Sequence, residues 1–285
     1  MDMTKVFIED LAVGGGALPV PVDIRSARPG EERPVVVLCP GFLGYKGWGF
    51  FPWLSERIAE AGFHAVTMSS SHSGTDQTTG VITRPDEFAA GTIGDEIEDL
   101  GRVLDFAASG GFPLRGGGAP GLLGHSRGGA VCIIAAAGRG GVGSLVTWAS
   151  TAHLDRYTDR RVREWRRTGA LVFSDSRSPG PLRLAWSYYE DIEANRALYD
   201  VPARAAETTA PLLIVHGERD AAVSVREARA LAAADRRAPT LLEILPHCGH
   251  RFGACHPMRR PTPQLERAAR VSIDWLRRTL TEDAP

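Results

Sequence analysis

Residues 121–130 read GLLGHSRGGA, and this decapeptide constrains the fold more than any other stretch of the chain. A short apolar run leads to a serine between two glycines. Small and apolar residues then continue from Ala130 to Ala137. Such a segment turns from a buried strand into a buried helix around one residue, whose backbone must adopt angles that a side chain normally resists. Glycines two before and two after the corner leave room for neighbouring chain to close in. Gly124-His125-Ser126-Arg127-Gly128 is therefore a candidate nucleophile elbow with Ser126 at its tip. The competing reading is a glycine-rich turn between a strand and a buried helix.

The rest of the chain alternates in a way that suits such an elbow. Apolar runs at 35–39, 65–68, 121–124, 144–148, 212–216 and 241–245 have the length and composition of buried parallel strands. Weaker runs at 6–8 and 20–24 fit an antiparallel edge. Between them lie helical stripes. Phe51, Leu54, Ile58 and Ala61 form one. Ile93, Ile97, Leu100, Leu104 and Ala107 form another, with Asp95, Glu96, Glu98, Asp99 and Arg102 on its wet side, and Gly110–Gly111 stops it. Leu265, Ala268, Val271, Trp275 and Leu276 suggest a last amphipathic helix. The pattern predicts an α/β fold, a mostly parallel sheet flanked by helices on both faces, in a single domain spanning 1–285. Residues 150–210 show no clear strand and are too long for a plain connection, so they are expected to form an inserted cap or lid.

A serine hydroxyl is a weak nucleophile until a base takes its proton, and the base needs a third group to hold it. On an elbow of this kind the acid and then the base follow the serine along the chain. Asp220 lies just past the apolar run 212–216 and is the candidate acid, with Glu218 as its rival. His250 follows Gly249 in the loop after the run 241–245 and is the candidate base; His247 and His256 are close competitors. His125 is expected to pack beside the elbow and His216 to be a hydrogen-bonded core residue. The oxyanion of a tetrahedral intermediate needs donors already in place. The backbone N–H of Arg127 is one. In Cys39-Pro40-Gly41-Phe42-Leu43-Gly44, Pro40 cannot donate and Gly41 allows a tight turn, which leaves the N–H of Phe42 as the other. Trp186, Tyr188 and Tyr189, in the expected lid, are candidates for the substrate pocket; Trp48, Phe50, Phe51 and Trp53 either wall the pocket or pack on the sheet.

Other chemistries fit less well. A net charge of −1 gives no basic excess for nucleic acid. The longest apolar run has eight residues, too few to span a bilayer, and no leader-like apolar segment follows MDMTKVFIEDL, so no membrane partner and a cytoplasmic location are expected. Cys39 and Cys132 fall in core elements. His247, Cys248, His250, Cys255 and His256 crowd into ten residues, but their spacing matches no established zinc motif, and a Cys248–Cys255 disulfide is the lesser alternative. No metal and no cofactor are expected. Six arginines against three carboxylates between Asp155 and Arg167 read as a solvated helix face, with attraction of an anionic group as the alternative.

The PGF loop, the GHSRGG elbow, and the HGERD and GH segments together resemble the α/β-hydrolase superfamily over roughly residues 30 to 280. Within it the chain is similar to the dienelactone-hydrolase-like esterase and acyl-hydrolase branch, which often carries an arginine after the serine. Dienelactone hydrolases proper use a cysteine where this chain has Ser126, which counts against a dienelactone as substrate. The resemblance implies cofactor-free hydrolysis of a small carboxylic ester or thioester. Transfer to another acceptor, as in an acyltransferase or perhydrolase, would use the same triad. A non-catalytic ligand-binding protein of this fold would need none of the three residues. Epoxide hydrolases and dehalogenases of this fold carry Asp at the elbow, and prolyl-oligopeptidase-like peptidases add a propeller that this sequence lacks. Composition and motifs leave the oligomeric state open.

Overall fold

The structure, a computed structural model, describes residues 6–14 and 18–281. The first five residues, which open the stretch used above to judge a leader, lie outside it. Eight strands form one sheet: β1 (Val6–Val13), β2 (Val20–Ser26), β3 (Val35–Cys39), β4 (His64–Met68), β5 (Gly121–His125), β6 (Ser144–Trp148), β9 (Leu212–Gly217) and β10 (Thr240–Leu245). Their order is β1-β2-β4-β3-β5-β6-β9-β10. From β4 to β10 every pairing is parallel; β2 runs antiparallel to β4, and β1 to β2. Both weak sequence runs thus belong to the antiparallel edge, and the first is longer than 6–8 because β1 passes a bulge between Ile8 and Leu11.

Strand alternation builds a core on each side of the sheet. Val35, Val37 and Cys39 of β3 face one side, where α3 (Ile93–Ala108), α4 (Arg127–Arg139), α7 (Val201–Glu207) and α8 (Val225–Ala232) pack. Val36 and Leu38 face the other, covered by α1 (Phe51–Glu60) and α9 (Pro263–Leu280). Both faces are buried, so the strands read as unbroken apolar runs in the sequence. The chain moves outward from β3 to β4 and then crosses back to β5. The loop after β3 and the turn after β5 therefore flank the point where strand order reverses, the place where open α/β sheets present a crevice.

Segment 150–210 runs between β6 and β9, and here the structure corrects the expectation of no strand. After α5 (Asp159–Thr168), β7 (Ala170–Phe173) and β8 (Leu182–Ala185) form an antiparallel hairpin, followed by α6 (Trp186–Ala194). Each hairpin strand has four residues, too few for periodicity to stand out. Only one face is covered: Leu182 and Leu184 are buried while Arg183 and its partner Val172 are exposed. The short helix α2 (Pro85–Ala90) packs against β8. Trp165 of α5 packs with Tyr157, Trp186, Tyr188 and Tyr189, giving the segment an aromatic core of its own. Arg160, Arg161, Arg163, Arg166 and Arg167 all lie on exposed positions.

All four cysteines are free thiols, Cys248 and Cys255 included. Among the described residues no helix is long and apolar enough to cross a membrane, and no group of three or more His, Cys, Asp or Glu is arranged to hold a metal ion.

Candidate active site

Ser126 stands between β5 and α4 with φ 56° and ψ −124°, a combination that costs a non-glycine residue on the order of 1–3 kcal/mol. The surrounding backbone enforces it. The N–H of Ser126 donates to the carbonyl of Trp148, 2.8 Å away, and its carbonyl accepts from Gly129 N–H at 3.0 Å. A Cβ on Gly124 would sit 2.2 Å from the carbonyl oxygen of Gly128, and one on Gly128 would sit 2.4 Å from the carbonyl oxygens of both Cys39 and Pro40. The glycines of the motif are thus required by direct backbone contact, within the elbow and between the elbow and the loop after β3.

His250 reaches the serine from the loop after β10. Its Nε2 is 3.1 Å from Ser126 Oγ, and its Nδ1 is 2.7 Å from Oδ2 of Asp220, which follows β9. The Asp220 side chain is fully buried, and that of His250 is 21% exposed. Burial pushes the Asp220 carboxyl up, but hydrogen bonds from His216, His250 and the Val223 N–H outweigh it and hold the group well below the usual carboxylate range. Ala222 N–H also donates to it, at 2.8 Å. His216 Nε2 lies 2.9 Å from the Val223 carbonyl and 3.3 Å from Asp220 Oδ2, so its hydrogen is shared between them.

The rival residues occupy other places. Glu218 accepts from the backbone N–H of His247, an exposed residue. His256 accepts from Gly49 N–H on Nδ1 and meets the Tyr45 hydroxyl at 3.3 Å. His125 is buried against Phe50 and against the ring of His250, 4.8 Å away. Its Nε2 donates to the backbone carbonyl of His250 at 3.0 Å, which places the proton on that nitrogen. Burial, and then the neighbouring charge of His250, lower its pKa to about 3, so it ties down the His250 backbone as a neutral ring.

Phe42, in the loop after β3, and Arg127, at the start of α4, lie against each other and line a common cavity. Arg127 opens α4, so its N–H belongs to the first turn, which has no acceptor within the helix. Phe42 N–H has no hydrogen-bond acceptor among the described residues. The Phe42 ring is 39% exposed and contacts Phe88 of α2 and Phe173 of the hairpin. The Arg127 side chain is mostly buried. It pairs with Glu96 of α3, donates to the Tyr188 hydroxyl at 3.1 Å and lies over the Phe42 ring. Burial holds the Glu96 carboxyl above its ordinary range, with Arg127 pulling against it.

That pair corrects the sequence reading of a wet helix side, since Glu96 is 15% and Asp99 0% exposed. Asp99 accepts from Ser71 N–H at 2.7 Å and pairs with Arg102. Both acids are buried because the loop after β4 and the 150–210 segment cover the helix face that would otherwise meet water. A cleft of about 330 Å³ opens onto Ser126, lined also by Trp48, His250, Arg251, His256 and the hairpin-turn residues Asp175 and Arg177. A cavity of about 50 Å³ lies behind the Phe42 loop, walled in part by Arg127, Glu96 and Tyr188. The three aromatics singled out in the sequence all pack in the aromatic core of the segment, and Tyr188 alone of the three also reaches this cavity. Asp175, Arg177 and Glu96 carry no motif; only their place in the fold brings them to the site.

Residues 36–268 match the family model described as "Alpha/beta hydrolase family". Comparison with curated protein sequences gives no match. Solved structures share the fold at low identity. Est1E from Butyrivibrio proteoclasticus with ferulic acid bound superposes with a TM-score of 0.70 at 18% identity, covering 94% of this chain and 98% of that one. A putative hydrolase from Agrobacterium vitis gives 0.70 at 21%, covering 95% and 99%. A dienelactone hydrolase from Anabaena variabilis gives 0.62 at 16%, covering 97% and 99%.

Proposed function

This chain belongs to the alpha/beta hydrolase family, and from that premise we propose that it is a serine esterase cleaving small carboxylic esters or thioesters through an acyl-enzyme. The observation that carries the reading is the continuous hydrogen-bonded series Ser126 Oγ, His250 Nε2, His250 Nδ1, Asp220 Oδ2. His250 takes the Ser126 proton as Oγ attacks the carbonyl carbon, then returns it to the departing alcohol or thiol. Asp220 keeps the Nδ1 proton in place and stabilises the imidazolium formed on the way. The N–H groups of Phe42 and Arg127 receive the oxyanion. Water, deprotonated by His250, then attacks the acyl-enzyme, and the acid leaves as Ser126 regains its proton. In this reading 150–210 is a lid whose hairpin turn borders the cleft and whose Tyr188 borders the cavity behind Phe42.

The test is labelling and turnover. A fluorophosphonate should modify Ser126 at one equivalent per chain, and p-nitrophenyl acetate should be hydrolysed. Ser126→Ala should lose both and stay folded. Undiminished turnover by Ser126→Ala would overturn the reading. So would a wild-type protein inert to both reagents.

A further inference from the structure

The loop 40–44, which carries the proposed oxyanion donor Phe42 N–H, holds a tight turn over 41–44: Gly44 N–H donates to the Gly41 carbonyl at 2.8 Å. Leu43, the third residue of the turn 41–44, has φ 60°, a position that glycine usually fills. A leucine held there stores strain and stays only if its surroundings insist. The 150–210 segment supplies part of that insistence. The Leu43 side chain packs against the cluster of Ile82, Phe88 and Leu182 of β8. The Leu43 carbonyl accepts a hydrogen bond from Arg177 Nη2 at 2.6 Å. The guanidinium is aimed by Asp175, whose Oδ1 accepts from Arg177 Nε at 3.0 Å, and the Arg177 carbonyl in turn accepts from Ile82 N–H at 2.9 Å. Arg177 is 14% exposed.

These bonds form a line. Because a trans peptide points its C=O and N–H in opposite directions, a bond at one end of the plane fixes the other end. Arg177 donates to the carbonyl of the Leu43–Gly44 peptide. The N–H of that peptide donates to the carbonyl of the Gly41–Phe42 peptide. The N–H of this second peptide is Phe42's. We propose that Arg177 is a positioning residue for the oxyanion hole, acting through two peptide planes to orient and polarise the Phe42 N–H. Hydrogen bonds in series strengthen one another, and a cation at the head of the line draws electron density away from the last N–H. The inference rests on the esterase reading given above. It adds that the site is complete only with the hairpin docked.

The test compares Arg177→Met and Arg177→Lys with the wild type. Arg177→Met should lower kcat by about 10-fold, less than the 10²–10³ that follows outright loss of an oxyanion donor, with KM within about twofold. Affinity for a trifluoromethyl ketone, which forms a hemiketal oxyanion on Ser126, should fall by the same factor as kcat/KM. Arg177→Lys, which keeps the charge and one donor, should recover most of both. Amide resonances of Gly44 and Phe42 should shift in Arg177→Met and return toward wild type in Arg177→Lys. This last readout needs no turnover, so it separates failure of the relay from failure of the esterase reading. Unchanged kcat overturns the proposal. A rise in KM at constant kcat, which marks a substrate contact instead, overturns it as well, as do amide resonances that stay in place. If Arg177→Met unfolds, Arg177→Gln takes its place: kcat and ketone affinity falling together support the relay, and unchanged kcat or KM rising alone refutes it.

Discussion

The guanidinium of Arg127 lies 4.7 Å from the centroid of the Phe42 ring, so the two residues proposed to supply the oxyanion donors also brace each other through their side chains. Glu96 and the Tyr188 hydroxyl complete the clamp. Removing one partner of a buried ion pair strands the other's charge, which costs more than the intact pair gains. Glu96→Ala should therefore destabilise the protein by roughly 3 kcal/mol in urea unfolding, and Glu96→Ala with Arg127→Met should regain most of it. The proposed role of Arg127 is carried by its backbone, so the double variant should keep measurable ester turnover. A folded double variant without turnover would show that the guanidinium itself meets the substrate.

Asp220→Asn keeps the shape of the acid and removes its charge. By the logic of a misplaced imidazole proton, kcat should fall on the order of 10⁴-fold while fold and substrate affinity hold. The same carboxylate has a stability signature. Its pKa is lowered in the folded protein, so its contribution is complete above the ordinary carboxylate value of about 3.9 and fades as pH falls below that value. Urea midpoints measured below pH 4 should drop less steeply in Asp220→Asn than in the wild type. Parallel curves would contradict the assigned environment.

His125 acts in a higher window. Folded, it stays neutral down to about pH 3. Unfolded, it titrates near about 6.5. Below that value the unfolded chain binds a proton the native protein does not, so acidification toward pH 4 lowers stability by up to about 1.4 kcal/mol per pH unit. In His125→Gln the side-chain amide can still donate to the His250 carbonyl, and the acid slope should lose about one proton. Urea unfolding at several pH values between 7 and 4.5 measures it; an unchanged slope would refute the burial of a neutral ring.

Trp186, Tyr188 and Tyr189 all pack around Trp165, and of the three Tyr188 also borders the cavity behind the Phe42 loop. Tyr188→Ala should change the ratio of kcat/KM between short and long acyl esters. Trp186→Ala and Tyr189→Ala should instead lower stability by roughly 3 kcal/mol and leave that ratio alone. A shifted ratio in either of the latter would place the acyl group on the other side of the segment.

Residues that announced themselves in the sequence did so through local chemistry. The elbow needs glycines at fixed offsets, and a doubly covered sheet needs continuous apolar strands, so Ser126, β3 and β5 were legible. Strand ends and chain order point to Asp220 and His250, and the fold brings both to Ser126 within hydrogen-bond distance in series. The hairpin was harder. The alternation of Leu182, Arg183 and Leu184, with Ser178-Pro179-Gly180 before it, was a usable signal, but four residues carry little periodicity. Glu96 and Asp99 look like ordinary solvent-facing acids on an amphipathic helix, because nothing local reports that loops far along the chain will cover them. Arg177 is one arginine among many until the turn that carries it meets Leu43.

Segment 150–210 leaves the sheet after β6 and returns at β9, and those strands are direct neighbours, paired from Leu145↔Leu212 to Trp148↔Val215. Its two ends therefore converge on one seam, which makes it the natural unit for exchange between relatives or for design. Such a graft is not neutral with respect to rate. If the relay holds, a donor segment of the right length, lined with a well-chosen pocket, would still deliver a slow enzyme unless it also brought a cation to the carbonyl of Leu43. Substrate range and turnover, which a swap is meant to alter separately, would then be inherited together.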